Sequence, residues 1–334
     1  FILFATFFPQ LIAGPIVHYR EIEPQFASPK FLKIDWENFG RGLTLFWIGL
    51  FKKWVLADSF SSLVSQGMQE AATRFDYPFF EAWRVSLGYA LQIYFDFSGY
   101  SDMAIGLALI FGIRLPLNFD APYRSLSLID FWKRWHMTLS AFLRDYLYIP
   151  LGGNRKGPAR RYVNLMITMC LGGIWHGAGW GFLLWGLMHG SVLSMNHAWR
   201  EWRERAAPTL ASKPAYKIAA WLMPFTFVVV AWVPFRAESF QATFNIWGGM
   251  LGLNGGWGTI LYLPNYSSSL SYVLQQSGWE YYRVHWTGAN WLLEAIWRSA
   301  LISLAGRGVT AARSAGAEEW RIDDRARTLA KIVQ

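Results

Sequence analysis

The sequence predicts an all-α, polytopic transmembrane protein whose interfacial and broken helices surround a central funnel or tunnel. Three observations predict it. Of 334 residues, 53% are hydrophobic and only 16% are charged, against about a quarter charged in ordinary soluble domains. Apolar stretches of helix length alternate with short Pro-, Gly- and charge-rich connections, so a mean hydropathy of only +0.18 hides strong segregation. The net charge of +9 is concentrated in short loops, at Arg155, Lys156, Arg160 and Arg161, and again at Arg200, Arg203, Arg205, Lys213 and Lys217. Short basic loops mark the cytoplasmic side of a bilayer. The charge therefore argues for membrane topology and against nucleic acid. The single cysteine, Cys170, excludes an intrachain disulfide and a cysteine-based metal site, and no metal is expected.

The chain opens at Phe1 inside an apolar run, FILFATFF, with no signal-peptide layout. This reads as truncation, with upstream helices missing. Residues 1–17 are expected to end a membrane segment broken at Pro9 and at Gly14-Pro15, and residues 18–41 to be interfacial. The run 42–57 is apolar around Lys52 and Lys53, which suits an interfacial helix or a crossing whose end the lysines mark by snorkelling. Residues 84–113 form a long apolar segment holding Asp96 and Asp102. Ser98 and Tyr100 supply each acid with a partner at i,i+4 spacing. Intramembrane carboxylates face polar interiors, so both acids are candidate substrate-contacting residues, with a structural hydrogen-bond role as the alternative.

After a Pro116- and Pro122-containing loop, Ser127 is placed to cap a helix with Asp130 at its third position. From there one continuous helix is expected, with Asp130, Lys133, Arg134, Arg144 and Asp145 on one stripe, lying on the membrane surface or along a polar cavity. The loop 151–161, LGGNRKGPARR, leads to two apolar runs, 162–175 and 180–198, separated by WHGAGWG. Asn154, Arg155 and Lys156 lie in the glycine-rich part, which could hold phosphates through its amides and cations or could simply fix topology. Two basic loops flank the pair, so the intervening chain goes out and returns as a hairpin. At about 1.5 Å per residue, Arg161 to His176 covers roughly 22 Å, short of a hydrocarbon core about 30 Å thick. His176 therefore falls within the membrane profile, beside glycines that permit close approach or unusual dihedrals. A histidine in a broken segment at that depth is a functional candidate, the alternative being an imidazole satisfied by a backbone carbonyl. His136 stands by the cationic stripe; His189 and His197, on the return helix, read as structural. Further membrane segments are expected at 216–235 and 239–253, a loop at 254–288, a short helix at 291–305 and a polar tail at 306–334. The domain division is thus 1–305 and 306–334.

The stretches QIYFDFSGYSDMAIG, FWKRWHMTLSAFLRDYLYIPLGGNRKG and GGIWHGAGWGFLLWGLMHG, with FFPQLIAGPIVHYREIEPQF near the start, together resemble the membrane-bound O-acyltransferase family over residues 4–250. The nearest branch is similar to the bacterial alginate O-acetyltransferase membrane subunit and to polysaccharide and peptidoglycan O-acetyltransferases. The resemblance implies a multi-pass protein of the bacterial inner membrane with catalytic His176 and a second characteristic histidine at His136. It implies a cytoplasmic donor, acetyl-CoA, with no bound cofactor, and acetyl transfer across the bilayer toward a periplasmic partner acetyltransferase and a polysaccharide acceptor. His176 would serve as general base toward an acceptor hydroxyl. Lys133 and Arg134, or Asn154, Arg155 and Lys156, would hold the donor's phosphates. No residue offers itself as a covalent nucleophile. The rival readings are a transporter or channel using Asp96 and Asp102, a non-catalytic scaffold for a periplasmic acetyltransferase, and D-alanyl transfer to teichoic acids.

Overall fold

The computed structural model describes residues 1–11, 14–29 and 31–254, and their regular structure is helical throughout. The expected loop beyond Asn254, the helix at 291–305 and the boundary at 305/306 lie outside the described residues.

The N-terminal stretch forms three short helices, α1 (Ile2–Thr6), α2 (Phe8–Leu11) and α3 (Tyr19–Phe26). The break falls at Phe7 and not at Pro9, which sits inside α2, because proline is tolerated in a first helical turn. Phe7 and Ile22 pack with Ile105, Ile113 and Leu115 in a small core. Asp35 then caps α4 (Trp36–Phe51), accepting the backbone N–H groups of Glu37 and Asn38 at 3.0 and 3.3 Å.

The α4 helix runs without interruption into a π-helical turn, Lys52–Ala57, and on into α5 (Asp58–Thr73). Both pack on the 32-residue α6 (Phe79–Ile110). The α4–α6 crossing is a backbone contact. A Cβ placed on Gly99 would stand 2.7 Å from the Gly49 carbonyl oxygen, and one on Gly49 would collide with that of Gly99. With the backbones so close, Lys52 is drawn into the interface and pairs with Asp102 at 2.5 Å, the two side chains only 10% and 12% exposed. Lys53 reaches Asp96 and Asp58, both at 2.7 Å. The lysines therefore do not snorkel. Nor do Asp96 and Asp102 rely on Tyr100 and Ser98: each has an ammonium from the π-helical turn.

The expected surface helix from Ser127 is broken in two. Ser127 caps α7 (Leu128–Trp132), accepting from Asp130 N–H at 3.0 Å. The chain then turns over 133–136, with His136 at φ 43°, and resumes as α8 (Met137–Leu143), followed by a second π-helical turn, Arg144–Tyr148. The charges consequently share no single stripe. Arg134 pairs with Asp130 at 3.0 Å and Asp120 at 3.3 Å, and Arg144 with its neighbour Asp145 at 2.6 Å.

The expected hairpin is present as α9 (Gly157–His176) and α10 (Trp180–Ala206), packed along each other. Gly186 allows it: a Cβ there would drive into the backbone of Met169 and Cys170. Two further helices follow, α11 (Pro214–Arg236) and α12 (Phe240–Met250). The main core lies between α5, α6, α7, α10, α11 and α12 and is aromatic-rich, with Trp135, Trp185, Trp232, Phe119 and Phe131 buried.

Among the described residues, α11 is the one helix long and apolar enough by itself to cross a membrane. The outside of the bundle is nonetheless apolar along several helices. Trp47, Trp54, Ile174, Trp175, Trp180, Met195, Ile218, Met223 and Phe244 are all exposed, and an apolar exterior of that extent requires a lipid or protein cover.

The ion pair across α4 and α6 has a testable energy. Lys52→Met leaves a buried carboxylate alone and should cost about 3–5 kcal/mol, whereas Lys52→Met with Asp102→Leu should recover most of it. Thermal unfolding of the detergent-solubilised protein checks both. A double variant as unstable as the single one would show that the pair is not the source.

Candidate active site

His176 is the last residue of α9, and Gly177, Ala178 and Gly179 turn the chain into α10. The turn uses glycine for space and not for dihedral freedom. Gly177 and Gly179 are extended, but a Cβ on Gly177 would come within 2.6 Å of the Phe182 ring. The imidazole is half-buried in an aromatic box. Its centroid is 5.1 Å from Phe235, 5.5 Å from Trp185 with the rings perpendicular, and 6.4 Å from Phe182. The carbonyl-satisfied histidine weighed from sequence is not what the fold presents. Among the described residues, no hydrogen bond to the His176 ring is found, so both nitrogens are open to a small molecule entering the box.

His136 is held in the opposite manner. It is 4% exposed, in the left-handed region at φ 43°, an uncommon conformation for a non-glycine residue. Its ring lies against Phe97 at 4.7 Å and Phe119 at 6.4 Å. The surrounding network determines its tautomer. Asn118 Oδ1 accepts Thr138 Oγ–H at 3.0 Å and Thr138 N–H at 3.3 Å, and lies 3.0 Å from His136 Nδ1. Asn118 Nδ2 donates to Ser101 Oγ at 3.2 Å. Because that assignment makes Oδ1 the acceptor, Nδ1 carries the proton and donates, leaving the lone pair on Nε2. Backbone bonds close the turn, with Met137 N–H donating to the Asn118 carbonyl and Asp120 N–H to that of Arg134, both at 2.9 Å.

Aromatic rings bridge the space between the two histidines. Phe119, Trp135, Trp232 and Trp185 follow in a chain of neighbouring rings at 5.1, 5.0 and 5.9 Å. The cations are distributed differently. Lys133, half-buried, lies within electrostatic reach of Asp130, Arg134 and Arg200. Arg134 is occupied by its two carboxylates. Asn154, Arg155 and Lys156 are exposed in the turn before α9. At about 1.5 Å per residue the 20-residue α9 is roughly 30 Å long, so this loop and His176 stand at opposite ends of one helix. Asp96 and Asp102 are engaged by Lys53 and Lys52.

Sequence reasoning did not find Asn118, Trp185 or His189. Asn118 lies in an irregular segment where no periodicity operates. Trp185 and His189 share a face of α10 at i,i+4 spacing, a signal that was available. His189, read as structural, is 0% exposed and accepts the Trp132 indole N–H at 3.2 Å.

The clamped His136 and the open His176 stand at the two ends of a chain of indole and phenyl rings, and an open neutral imidazole can take and return a proton. Comparison with known proteins gives the family. The model of the membrane-bound O-acyltransferase family matches residues 1–233. The chain belongs to that family. It is 49% identical over 253 residues to the peptidoglycan O-acetyltransferase of Helicobacter pylori, covering 76% of this chain and 46% of that protein. It is 41% identical over 259 residues to the probable alginate O-acetylase of Pseudomonas aeruginosa, covering 77% and 46%. A teichoic acid D-alanyltransferase of Streptococcus thermophilus is 30% identical over 210 residues, 60% of this chain and 50% of that protein. The chain spans about half the length of the curated relatives it matches.

Asn118 offers a direct check on the clamp. Asn118→Leu strands the donors on His136 and Thr138, and a buried donor left without an acceptor costs about 1–3 kcal/mol. The variant should unfold at clearly lower temperature in detergent, while Asn118→Asp, which keeps the acceptor, should lose less. Equal midpoints for the two variants would remove Asn118 Oδ1 from its central role.

Proposed function

We propose that this chain is part of a multi-pass inner-membrane O-acyltransferase that moves acetyl groups from a cytoplasmic thioester donor, acetyl-CoA, across the bilayer for O-acetylation of an exported polysaccharide or peptidoglycan. The observation that carries the reading is the open imidazole of His176, half-buried among Trp185, Phe235 and Phe182 at the helix break. Names of relatives at 41–49% identity support the acetyl class over the D-alanyl class, whose relative stands at 30%. The apolar exterior supports several crossings, with residues such as Trp175, Trp180 and Met195 exposed along the α9–α10 hairpin.

In this mechanism His176 takes the proton of the acceptor hydroxyl as its oxygen attacks the acyl carbon, and delivers it to the departing thiolate. His136, with Nδ1–H fixed on Asn118, holds its ring in one orientation with the lone pair on Nε2. Lys133 sits with Arg200 near the end of α10 where it can attract an anionic donor. Asn154, Arg155 and Lys156, exposed on the basic turn, can meet donor phosphates at the cytoplasmic surface but not at His176. The acetyl group then passes to a periplasmic acetyltransferase partner or directly to the sugar.

Transport through Asp96 and Asp102 is the weaker reading, because both carboxylates are engaged by lysines and Asp102 is buried with its partner.

In cells expressing the complete gene product, His176→Ala at matched membrane abundance should abolish O-acetyl groups on the exported polymer while export continues. Asp96→Asn should leave acetylation within a few-fold. Unchanged acetate in His176→Ala would remove the catalytic role and favour a scaffold. Loss of transport in Asp96→Asn with normal acetylation in His176→Ala would favour the carrier.

A further inference from the structure

Two buried N–H groups, one on Trp185 beside His176 and one on the neighbouring His189, have no acceptor among the described residues. Trp132 donates its indole N–H to His189 Nδ1 at 3.2 Å. An indole nitrogen only donates, so Nδ1 holds the lone pair and the neutral His189 ring carries its proton on Nε2. That nitrogen is buried without a hydrogen-bond partner among the described residues, on a side chain 0% exposed. Trp185, 2% exposed, presents the same situation, its Nε1–H also unpartnered. The two rings are neighbours at 4.6 Å, and Trp185 is in turn 5.5 Å from His176.

Buried N–H groups without acceptors are rare in native proteins, and two on adjacent rings call for an oxygen that the chain does not supply. The chemistry of the surroundings says which kind. The rings around His189 are Phe131, Trp132, Trp185, Phe227 and Trp232, none of which offers a conventional acceptor. A water seated there could accept from both N–H groups, but both of its own hydrogens would face aromatic carbon, which leaves it at the bottom of the 2–4 polar partners of a buried water. A carbonyl oxygen accepts two hydrogen bonds and has none to give.

Resting on the reading of His176 as the proton-accepting group, we propose that Trp185 Nε1–H and His189 Nε2–H form the acyl-oxygen site of this acyltransferase. As the acceptor hydroxyl oxygen bonds to the acyl carbon, the C=O π pair moves onto the acyl oxygen, where the two N–H groups receive the developing charge. The pair then re-forms the double bond as the C–S bond breaks, and the hydroxyl proton passes through His176 to the thiolate. Donors of this kind act on the transition state more than on the bound substrate. This gives α10 a chemical task on the face opposite to the lipid, with His189 one turn beyond Trp185.

The test is acetyl transfer from acetyl-CoA by membranes containing the complete gene product, with thiol release and acceptor acetylation both followed. Trp185→Phe keeps a ring against His176 and removes the N–H. It should lower kcat by about 10²-fold with little change in the KM for acetyl-CoA and with an unchanged unfolding midpoint. His189→Met should lower kcat alike, with a lower unfolding midpoint because it also strands the Trp132 indole N–H, and His189→Gln, which restores a donor near Nε2, should regain at least about tenfold of the loss in kcat. If His176→Ala is inactive while Trp185→Phe turns over at the wild-type kcat, the acyl-oxygen site is wrong and the acyltransferase reading stands. A change in KM alone, or equal rates for His189→Gln and His189→Met, also overturns it. If His176→Ala is fully active, the underlying reading fails first.

Discussion

Everything that places a functional side chain in this fold depends on antiparallel helices approaching until their backbones touch. Between helices in lipid there is little hydrophobic drive, so close van der Waals contact and interhelical polar bonds carry the association. Glycine is what permits it. At Gly49 and Gly99 the contact brings α4 onto α6 and forces Lys52 into the interface. At Gly186 the contact brings α10 onto α9 and fixes where the hairpin turns. The second contact sets the height of His176 relative to Trp185 and His189. The first sets the frame against which the 111–127 segment, with Asn118, is packed. A side chain in either crossing would move a helix by ångströms, and the site is built from groups on four separate elements.

The two imidazoles are held for different purposes. His136 sits in a left-handed turn between two short helices, with one ring nitrogen committed to Asn118 and its faces covered by Phe97 and Phe119. Such a conformation persists only where the surroundings over-determine it, and here backbone bonds from Met137 and Asp120 do so. His176, by contrast, has aromatic walls and no hydrogen bond among the described residues. A rigid imidazole with one nitrogen clamped, and another with neither nitrogen bonded among the described residues, suit a site in which one ring must meet an incoming molecule while the other preserves the geometry. The aromatic chain from Phe119 to Trp185 fills the space between them.

Much of this was legible in the sequence where local rules operate. The glycines around His176 and the long apolar run of α11 are local, and α11 falls within a few residues of its expected position. The basic residues expected in the flanking loops do not all stay there: Arg160 and Arg161 lie in α9, and Arg200, Arg203 and Arg205 in α10, which runs to Ala206. Ser127 caps its helix as its spacing to Asp130 predicts. The misses share one cause, which is that the deciding partner is distant in sequence. Ser98 and Tyr100 were near enough to pair with Asp102 and Asp96, but lysines some fifty residues upstream hold both, because a π-helical turn aims consecutive residues where an α-helical count does not. The surface helix from Ser127 was drawn through His136 because periodicity assumes continuity. The chain breaks there to meet Asn118, which lies in a segment without period.

The same ion pairs bear on why, among the described residues of a chain from a membrane-bound family, one helix is apolar enough by composition to span a bilayer. Average composition counts each ionic residue by itself. In α6, Asp102 pairs with Lys52, and Asp96 shares Lys53 with Asp58; at the start of the hairpin Arg161 pairs with Glu201 at 2.6 Å. A partner already in place repays part of the desolvation cost of a buried ion, and the remaining cost falls on the assembled bundle and not on a single helix. On the proposed multi-pass reading, α6 enters the membrane already paired, through Asp102 and Lys52, with the π-helical turn that follows α4. Its apolar exterior, and not its average composition, is then what the lipid meets.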